Sequence, residues 1–181
     1  LRARKSDVAN DAACHLLESS STERNSGMRV FTTNQASDDH LGDDLYDSVI
    51  ETEILSRGAV VINCEENKLL AFSESGDIKL LAQWLIKSDK IRFNGLKNED
   101  GVYHLERLKI DKSSILKERP YCIKCNVRMK SMGQNQPVRC PKCRTRSEQK
   151  WIETSRIPPT LGWVQAPLDS RRHLTRPLEW N

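Results

Sequence analysis

Apolar positions recur at two different periods along this chain, and the changes between them outline its elements. In SDVANDAACHLLE (6–18), Val8, Ala12 and Leu16 share one face and Ala9, Ala13 and Leu17 the neighbouring one. That spacing predicts a short helix, with Ser6 or Asp7 as its cap. SSSTERNSG (19–27) is a loop by composition, MRVFTT (28–33) is β-like, and NQASDDHLGDD (34–44) is polar and rich in turn formers. From Tyr46 onward DSVIETEIL, GAVVIN and NKLLAFS predict three strands. GDIKLLAQWLIK breaks the pattern: Ile78, Leu81, Ala82, Leu85 and Ile86 fall at helical spacing, with Asp77 near the start. DKIRFNG alternates and ends in Asn-Gly, a turn signal. GVYHLERLKI alternates again, with Val102, His104, Glu106, Leu108 and Ile110 on one face and Tyr103, Leu105, Arg107 and Lys109 on the other. Three strands, a helix and two further strands suit a small five-stranded barrel of the OB type, although an α+β sandwich would show the same order.

The periodicity then stops. Residues 117–150 are dominated by cysteines and basic side chains. IPPTLGWVQAPLD (157–169) is extended or turn, with Leu161 and Trp163 available for packing, and SRRHLTRPLEWN closes the chain. The expected fold class is α+β at the N-terminus, then a small OB-like β-barrel and a four-cysteine zinc ribbon. The expected boundaries are 1–45, 46–116 for the OB domain, 117–155 for the ribbon and 156–181 for a basic tail.

Composition narrows the classes. Among 181 residues, 37% are hydrophobic and 6% aromatic, which is lean for one large core and favours small modules. The longest apolar runs are far too short to span a bilayer, and no secretory signal opens the chain. It begins with Leu rather than Met, as a fragment or trimmed product would. Six cysteines could form three disulfides, or four could bind a metal and leave two thiols. The paired spacing favours the second reading and a reducing, cytoplasmic compartment. Cys14 and Cys64 are then expected to be plain buried residues.

Charge separates the chain into two parts. Residues 1–111 carry 14 basic and 20 acidic side chains, a net of −6, whereas residues 112–181 carry 15 and 5, a net of +10. A basic end on an acidic body suggests a polyanionic partner for that end.

Cys122, Cys125, Cys140 and Cys143 form two Cys-x-x-Cys pairs with fourteen residues between them. Each pair places two sulfurs on one side of a tetrahedron, so the set fits a closed structural zinc site, and the intervening residues suffice for a hairpin with SMGQNQP as its tip. With no open coordination position, such a zinc is not catalytic. Around it lie Lys124, Arg128, Lys130, Arg139, Lys142, Arg144 and Arg146, with no acid between 122 and 146. These are phosphate candidates, as are Arg92 in the barrel and Arg171, Arg172 and Arg176 in the tail, where His173 could stack or hydrogen-bond. The bland reading of RRHLTRPL is a strap packing Leu174 and Leu178 onto the ribbon. Phe72, Trp84, Phe93 and Tyr103 are the barrel's candidate stacking residues.

Three segments taken in order, VFTTNQASDDHL (30–41), LAFSESGDIKLLAQWLIKSDKIRFNGLKNEDGVYHLERLKI (70–110), and the ribbon followed by APLDSRRHLTRPLEW, resemble the archaeal tRNA(Ile)-2-agmatinylcytidine synthetases, over the C-terminal half of that family. LRARKSDVANDA is placed like a weakened version of the family's Ile-Arg-Gly segment. The family's Gly-Thr-Asp-x-His is here Ala36-Ser37-Asp38-Asp39-His40, its Gly-Gly-His signature is missing around 60–67, and its Ala-Tyr-Glu-Pro-Thr-like segment has become Ala71-Phe72-Ser73-Glu74-Ser75.

The resemblance implies attachment of agmatine to the wobble cytidine of an isoleucine tRNA, with ATP and Mg used by a catalytic domain upstream of the matched region. This chain would then be inactive alone and act as the tRNA-binding portion. Residues 1–45 would be the end of an agmatine-site domain, with Asn34, Gln35, Asp38 and His40 at its edge; a carboxylate there could pair with agmatine's guanidinium. Two alternatives from other classes are a stand-alone OB/zinc-ribbon nucleic-acid-binding module and an interaction module for an acidic protein surface. Preference for folded tRNA over an unstructured strand separates the first from the synthetase reading, and RNase-insensitive co-purification would mark the second.

Overall fold

In the computed structural model, residues 3–19, 21 and 23–180 are described. Leu1 and Arg2 of the opening segment, Ser20 and Thr22 of the expected loop, and Asn181 lie outside the described residues. Helix α1 (Ser6–Leu17) forms where the spacing predicts it, yet it buries none of its residues. Residues 28–33, expected to be β-like, form no strand and pair into no sheet. Cys14 is therefore exposed, a correction to its expected burial, while Cys64 is buried as expected.

The central unit is built from β1 (Leu45–Ile54), β2 (Val60–Cys64), β3 (Lys68–Ala71), α2 (Asp77–Trp84), β4 (Lys90–Lys97) and β5 (Val102–Lys112). β1 pairs antiparallel with both β2 and β4, β2 with β3, and β4 with β5. The parallel pairing of β3 with β5 closes the ring. This is the expected five-strand barrel with one helix between the third and fourth strands. Its interior is filled by side chains such as Ile62, Leu69, Ile78, Leu81, Ile91 and Phe93, all fully or almost fully sealed from solvent.

Two features depart from the sequence pattern. Asn94-Gly95 makes no turn: it lies inside β4 at a register shift, and the hairpin turns instead at Asn98–Gly101, where the Asn98 side chain accepts the Val102 N–H. Gly95 is required there because a Cβ would lie 2.2 Å from the His104 carbonyl oxygen. The same shift pairs Asn94 with Arg107 and Gly95 with Leu105, leaving Glu106 as an extra residue in β5. The inward face therefore changes phase, with Tyr103 and Leu105 turned to the core before the bulge and Leu108 and Ile110 after it. Helix α2 also ends sooner than its apolar spacing suggests. Leu85 is already extended, and the Asp89 carboxylate accepts the Ile86 N–H.

Beyond the barrel, β6 (Leu116–Glu118) leads out to a three-stranded ribbon, β7 (Lys130–Ser131), β8 (Val138–Arg139) and β9 (Arg146–Ser147), and β10 (Ile152–Thr154) leads back, paired antiparallel with β6. The ribbon thus hangs on a two-stranded stalk. β11 (Val164–Gln165) then joins the barrel sheet against Leu108 and Arg107 of β5. The RRHLTRPL segment lies on the barrel rather than on the ribbon, held by Arg107 Nη2 to Arg176 O at 2.8 Å, and it pairs with the opening segment through Ala36 N–H to His173 O and Asp38 N–H to Leu174 O, both at 2.9 Å. No helix among the described residues is long and apolar enough to cross a membrane.

Candidate metal centre and nucleic-acid interface

Each cysteine pair sits on a tight turn of the same design. The Cys122 N–H donates to Val127 O while Asn126 N–H returns to Cys122 O; Cys140 N–H donates to Thr145 O while Arg144 N–H returns to Cys140 O. Both turns need one residue in the left-handed region, Asn126 at φ 47° and Arg144 at φ 61°. The turns bring the four Sγ atoms within 4.8 Å of one another. Four sulfurs about a zinc at its usual Zn–S length of 2.3 Å would be separated by ~3.8 Å, so the set fits the ion closely. The Lys142 and Cys143 N–H groups both point at Cys140 Sγ, at 3.4 Å, as donors to a thiolate would. In the free thiols the sites are unequal: hydrogen bonding from Thr145 draws Cys143 down to about 6, while the hydrogen bond with Cys143 pushes Cys125 up to about 12.

The ribbon places its basic side chains outward. Lys124, Lys130, Lys142, Arg144 and Arg146 are exposed, with no ion-pair partner among the described residues. Strand register adds something the sequence could not display. Lys130 pairs with Arg139, and Arg139 pairs with Arg146, so three cations stand in one row across the sheet. Like charges directly opposite one another repel, and nothing acidic in the row relieves them.

The other candidates are placed differently. Arg128 is engaged by Glu118 at 3.1 Å and lies over the Tyr121 ring, which holds its guanidinium above the ordinary range. Arg92, on β4, is paired with Asp111 at 3.0 Å. The tail residues are brought to the barrel. Arg172 Nε sits 2.8 Å from Glu106, Arg171 donates to Ala166 O, and Arg176 donates from its side chain to Ala36 O and Ser37 O. Asp38 receives Arg107 on one oxygen at 2.7 Å and the Arg176 N–H on the other at 2.6 Å, and His40 Nε2 lies 3.0 Å from Glu106. Asp38 and His40 therefore tie their segment to β5 and the tail. Asn34 and Gln35 are exposed beside them, Gln35 on the wall of a 940 Å³ groove between α1 and residues 28–37. Of the stacking candidates, Phe93 is core, Trp84 is covered by Arg156 at 3.6 Å, and Tyr103 and Phe72 stay half-exposed.

Sequence reasoning missed Asp89. It is fully buried, accepts from Ile86 N–H and from both the N–H and hydroxyl of Ser114, and faces the Arg156 guanidinium at 2.8 Å. These contacts fix the entry and exit of the stalk to the barrel. The only local signal was an acid flanked by Ser88 and Lys90.

A family model described as the TiaS C-terminal zinc ribbon domain matches residues 119–157. Over 188 residues the chain is 27% identical to TiaS of Archaeoglobus fulgidus, a 2-agmatinylcytidine synthetase acting on an isoleucine tRNA, covering 93% of this chain and 44% of that protein. A crystal structure of apo TiaS, there described as an agmatidine synthetase for the same tRNA, superposes with a TM-score of 0.65 at 26% identity, over 82% of this chain and 40% of the other. A complex of TiaS with that isoleucine tRNA and ATP has the same fold, with a TM-score of 0.64 at 24% identity, over 81% and 39%. The chain spans about 40% of the length of the relatives it matches.

Proposed function

Given that the chain belongs to the TiaS family, of which it spans the C-terminal portion, we propose that it is the tRNA-holding part of a tRNA-modifying synthetase. The observation that carries this is the row Lys130–Arg139–Arg146. Three unneutralised cations face one another at cross-strand distance, an arrangement that costs stability in isolation and is relieved by successive phosphates. A four-cysteine zinc holds the row in place, supplying rigidity rather than chemistry; Cys122, Cys125, Cys140 and Cys143 are its ligands. The exposed Lys124, Lys142 and Arg144 extend the same surface, while Arg172 and His173 lie on the barrel side.

The partner on this reading is an isoleucine tRNA, the RNA that the relatives' name and one complex specify. ATP, Mg and the transfer of agmatine belong to an upstream catalytic part, so this chain alone is inactive. Asn34 and Gln35 stand at the edge of the agmatine site, with Asp38 and His40 setting the position of that edge. Exposed apolar groups on α1 and residues 28–31, Phe31 among them, are the surface on which the upstream part would rest.

The test is tRNA binding by fluorescence anisotropy across a salt series. The zinc-loaded chain is expected to bind folded isoleucine tRNA more tightly than an unstructured strand of equal length. Replacing Lys130, Arg139 and Arg146 together by alanine should flatten the log–log salt slope by about 2–3. Equal competition by the unstructured strand would replace this reading with a stand-alone binding module, and no affinity at low salt would remove RNA from it altogether.

A further inference from the structure

A cavity of about 210 Å³ lies on the barrel between the exit of β3, the bulge of β5 and the tail. Its volume is below the ~300–1,000 Å³ of sites for drug-sized ligands, which suits a single planar group. One wall is aromatic: the Phe72 ring meets the His104 ring edge to face at 4.9 Å. The inner surface includes Leu105 and Ala166, both buried and apolar. Arg171 and Arg172 complete the lining together with one exposed carboxylate, Glu74, Arg171 steadied by the Ala166 carbonyl and Arg172 half-exposed.

Glu106 is the unusual member. The bulge in β5 turns it out of the strand's alternation and into this cavity, where its side chain is only 8% exposed. Oε2 receives Thr175 and His40. Oε1 lies 2.8 Å from Arg172 Nε but out of line for a hydrogen bond, and so lacks a well-directed donor. A buried carboxylate oxygen short of a donor is costly, and a ligand N–H would satisfy it.

An aromatic wall, an acceptor carboxylate at depth and two guanidiniums in the lining together match one kind of molecule. We propose that this cavity binds one unpaired nucleotide whose base carries an exocyclic amine, with the base against Phe72, the amine donating to Glu106 and the phosphate at Arg171 and Arg172. The guanidiniums disfavour a free cation and accept a phosphate. Uracil is disfavoured because its one imino group is flanked by carbonyl oxygens that face the carboxylate. This inference rests on the RNA-binding reading above, to which it adds a second contact, on the barrel rather than on the ribbon.

Cytidine and uridine 5′-monophosphates are the probes, because they differ in the donor and hardly in shape. In calorimetric titrations of the zinc-loaded chain, CMP is expected to bind at least tenfold more tightly than UMP. Phe72→Leu should weaken CMP at least fivefold without moving the thermal midpoint, and Glu106→Gln should bring CMP and UMP together. If Glu106→Gln does not fold, the Phe72→Leu variant and the wild-type comparison decide. Equal affinity for the two nucleotides, no binding of either, or an unchanged Phe72→Leu variant overturns the proposal. tRNA binding measured alongside keeps the two readings apart. tRNA affinity without CMP preference removes the pocket alone, and CMP preference without tRNA affinity removes the tRNA reading while leaving a nucleotide site.

Discussion

In the barrel, Ile62, Leu69, Ile78, Ile91 and Phe93 are sealed inside a sheet that closes on itself; in the ribbon, the sealed interior is Cys122, Met129, Val138 and Cys140. Half of that second set are candidate metal ligands. The barrel excludes water by area, and each large side chain buried there is worth about 1.5–3 kcal/mol. The ribbon has too few such side chains to order its strands of two residues each; on the reading proposed above it would take its order from coordination, about 10–16 kcal/mol for structural zinc in comparably small units. On that reading one module folds from its sequence alone and the other needs an ion as well, and the β6–β10 stalk between them would keep the ion's loss from reaching the barrel.

The strongest way to break that contrast is to remove the metal. Chelation should collapse the amide spectrum of residues 119–151 while the barrel's resonances stay in place, and Cys140→Ser should do the same without chelator. Collapse of both modules together would make them one cooperative unit. Thiol counting at pH 8 gives a second reading. Before chelation Cys14 alone should react, and afterwards the four ribbon cysteines should join it. Cys64 should resist until denaturant is added, because burial pushes its thiol up to about 12 and keeps it protonated at that pH.

A smaller effect is expected where the two modules meet. Arg156→Ala leaves the buried Asp89 with the Ser114 and Ile86 donors but no cation. Breaking a buried pair from one side costs about 3–5 kcal/mol, and the surviving donors place this variant at the lower end, read by denaturant unfolding of the barrel. The ribbon should still bind zinc but reorient freely, which its NMR relaxation would report. Unchanged relaxation would mean that the β6–β10 pairing alone fixes the stalk.

The smallest effect concerns Ala36, held at φ 57° where an L residue is strained. Ala36→Gly should relieve that strain at some cost in unfolded-chain freedom, a net gain of about 0.5 kcal/mol and a rise of about 2–4 °C in the barrel's thermal midpoint. The ribbon's metal affinity should not respond.

The order of barrel elements was legible because alternation and helical spacing are local properties that report directly on which face is buried. The cysteine spacing was legible because two short turns are enough to define a tetrahedron. What escaped was set by pairing across strands. Nothing near Asn94-Gly95 announces that its neighbour is the His104 carbonyl, and without the bulge Glu106 reads as one more alternating position. The basic row needed register as well as composition. Asp38 and His40 read as a polar turn because their partners, Arg107, Glu106 and Arg176, lie 66 to 138 residues away.

Those distances also set an order of events during synthesis. The barrel can close once β5 has left the ribosome, and the ribbon can capture its ion once Cys143 has. Residues 36–40 can dock on Arg107 and Glu106 of β5 at that stage but are completed only by RRHLTRPL, through His173, Leu174 and Arg176 and through Thr175 on Glu106. Loss of residues 172–181 would therefore leave both modules folded and residues 36–40 held only through Asp38–Arg107 and His40–Glu106, a loosening early in the sequence caused by a lesion late in it.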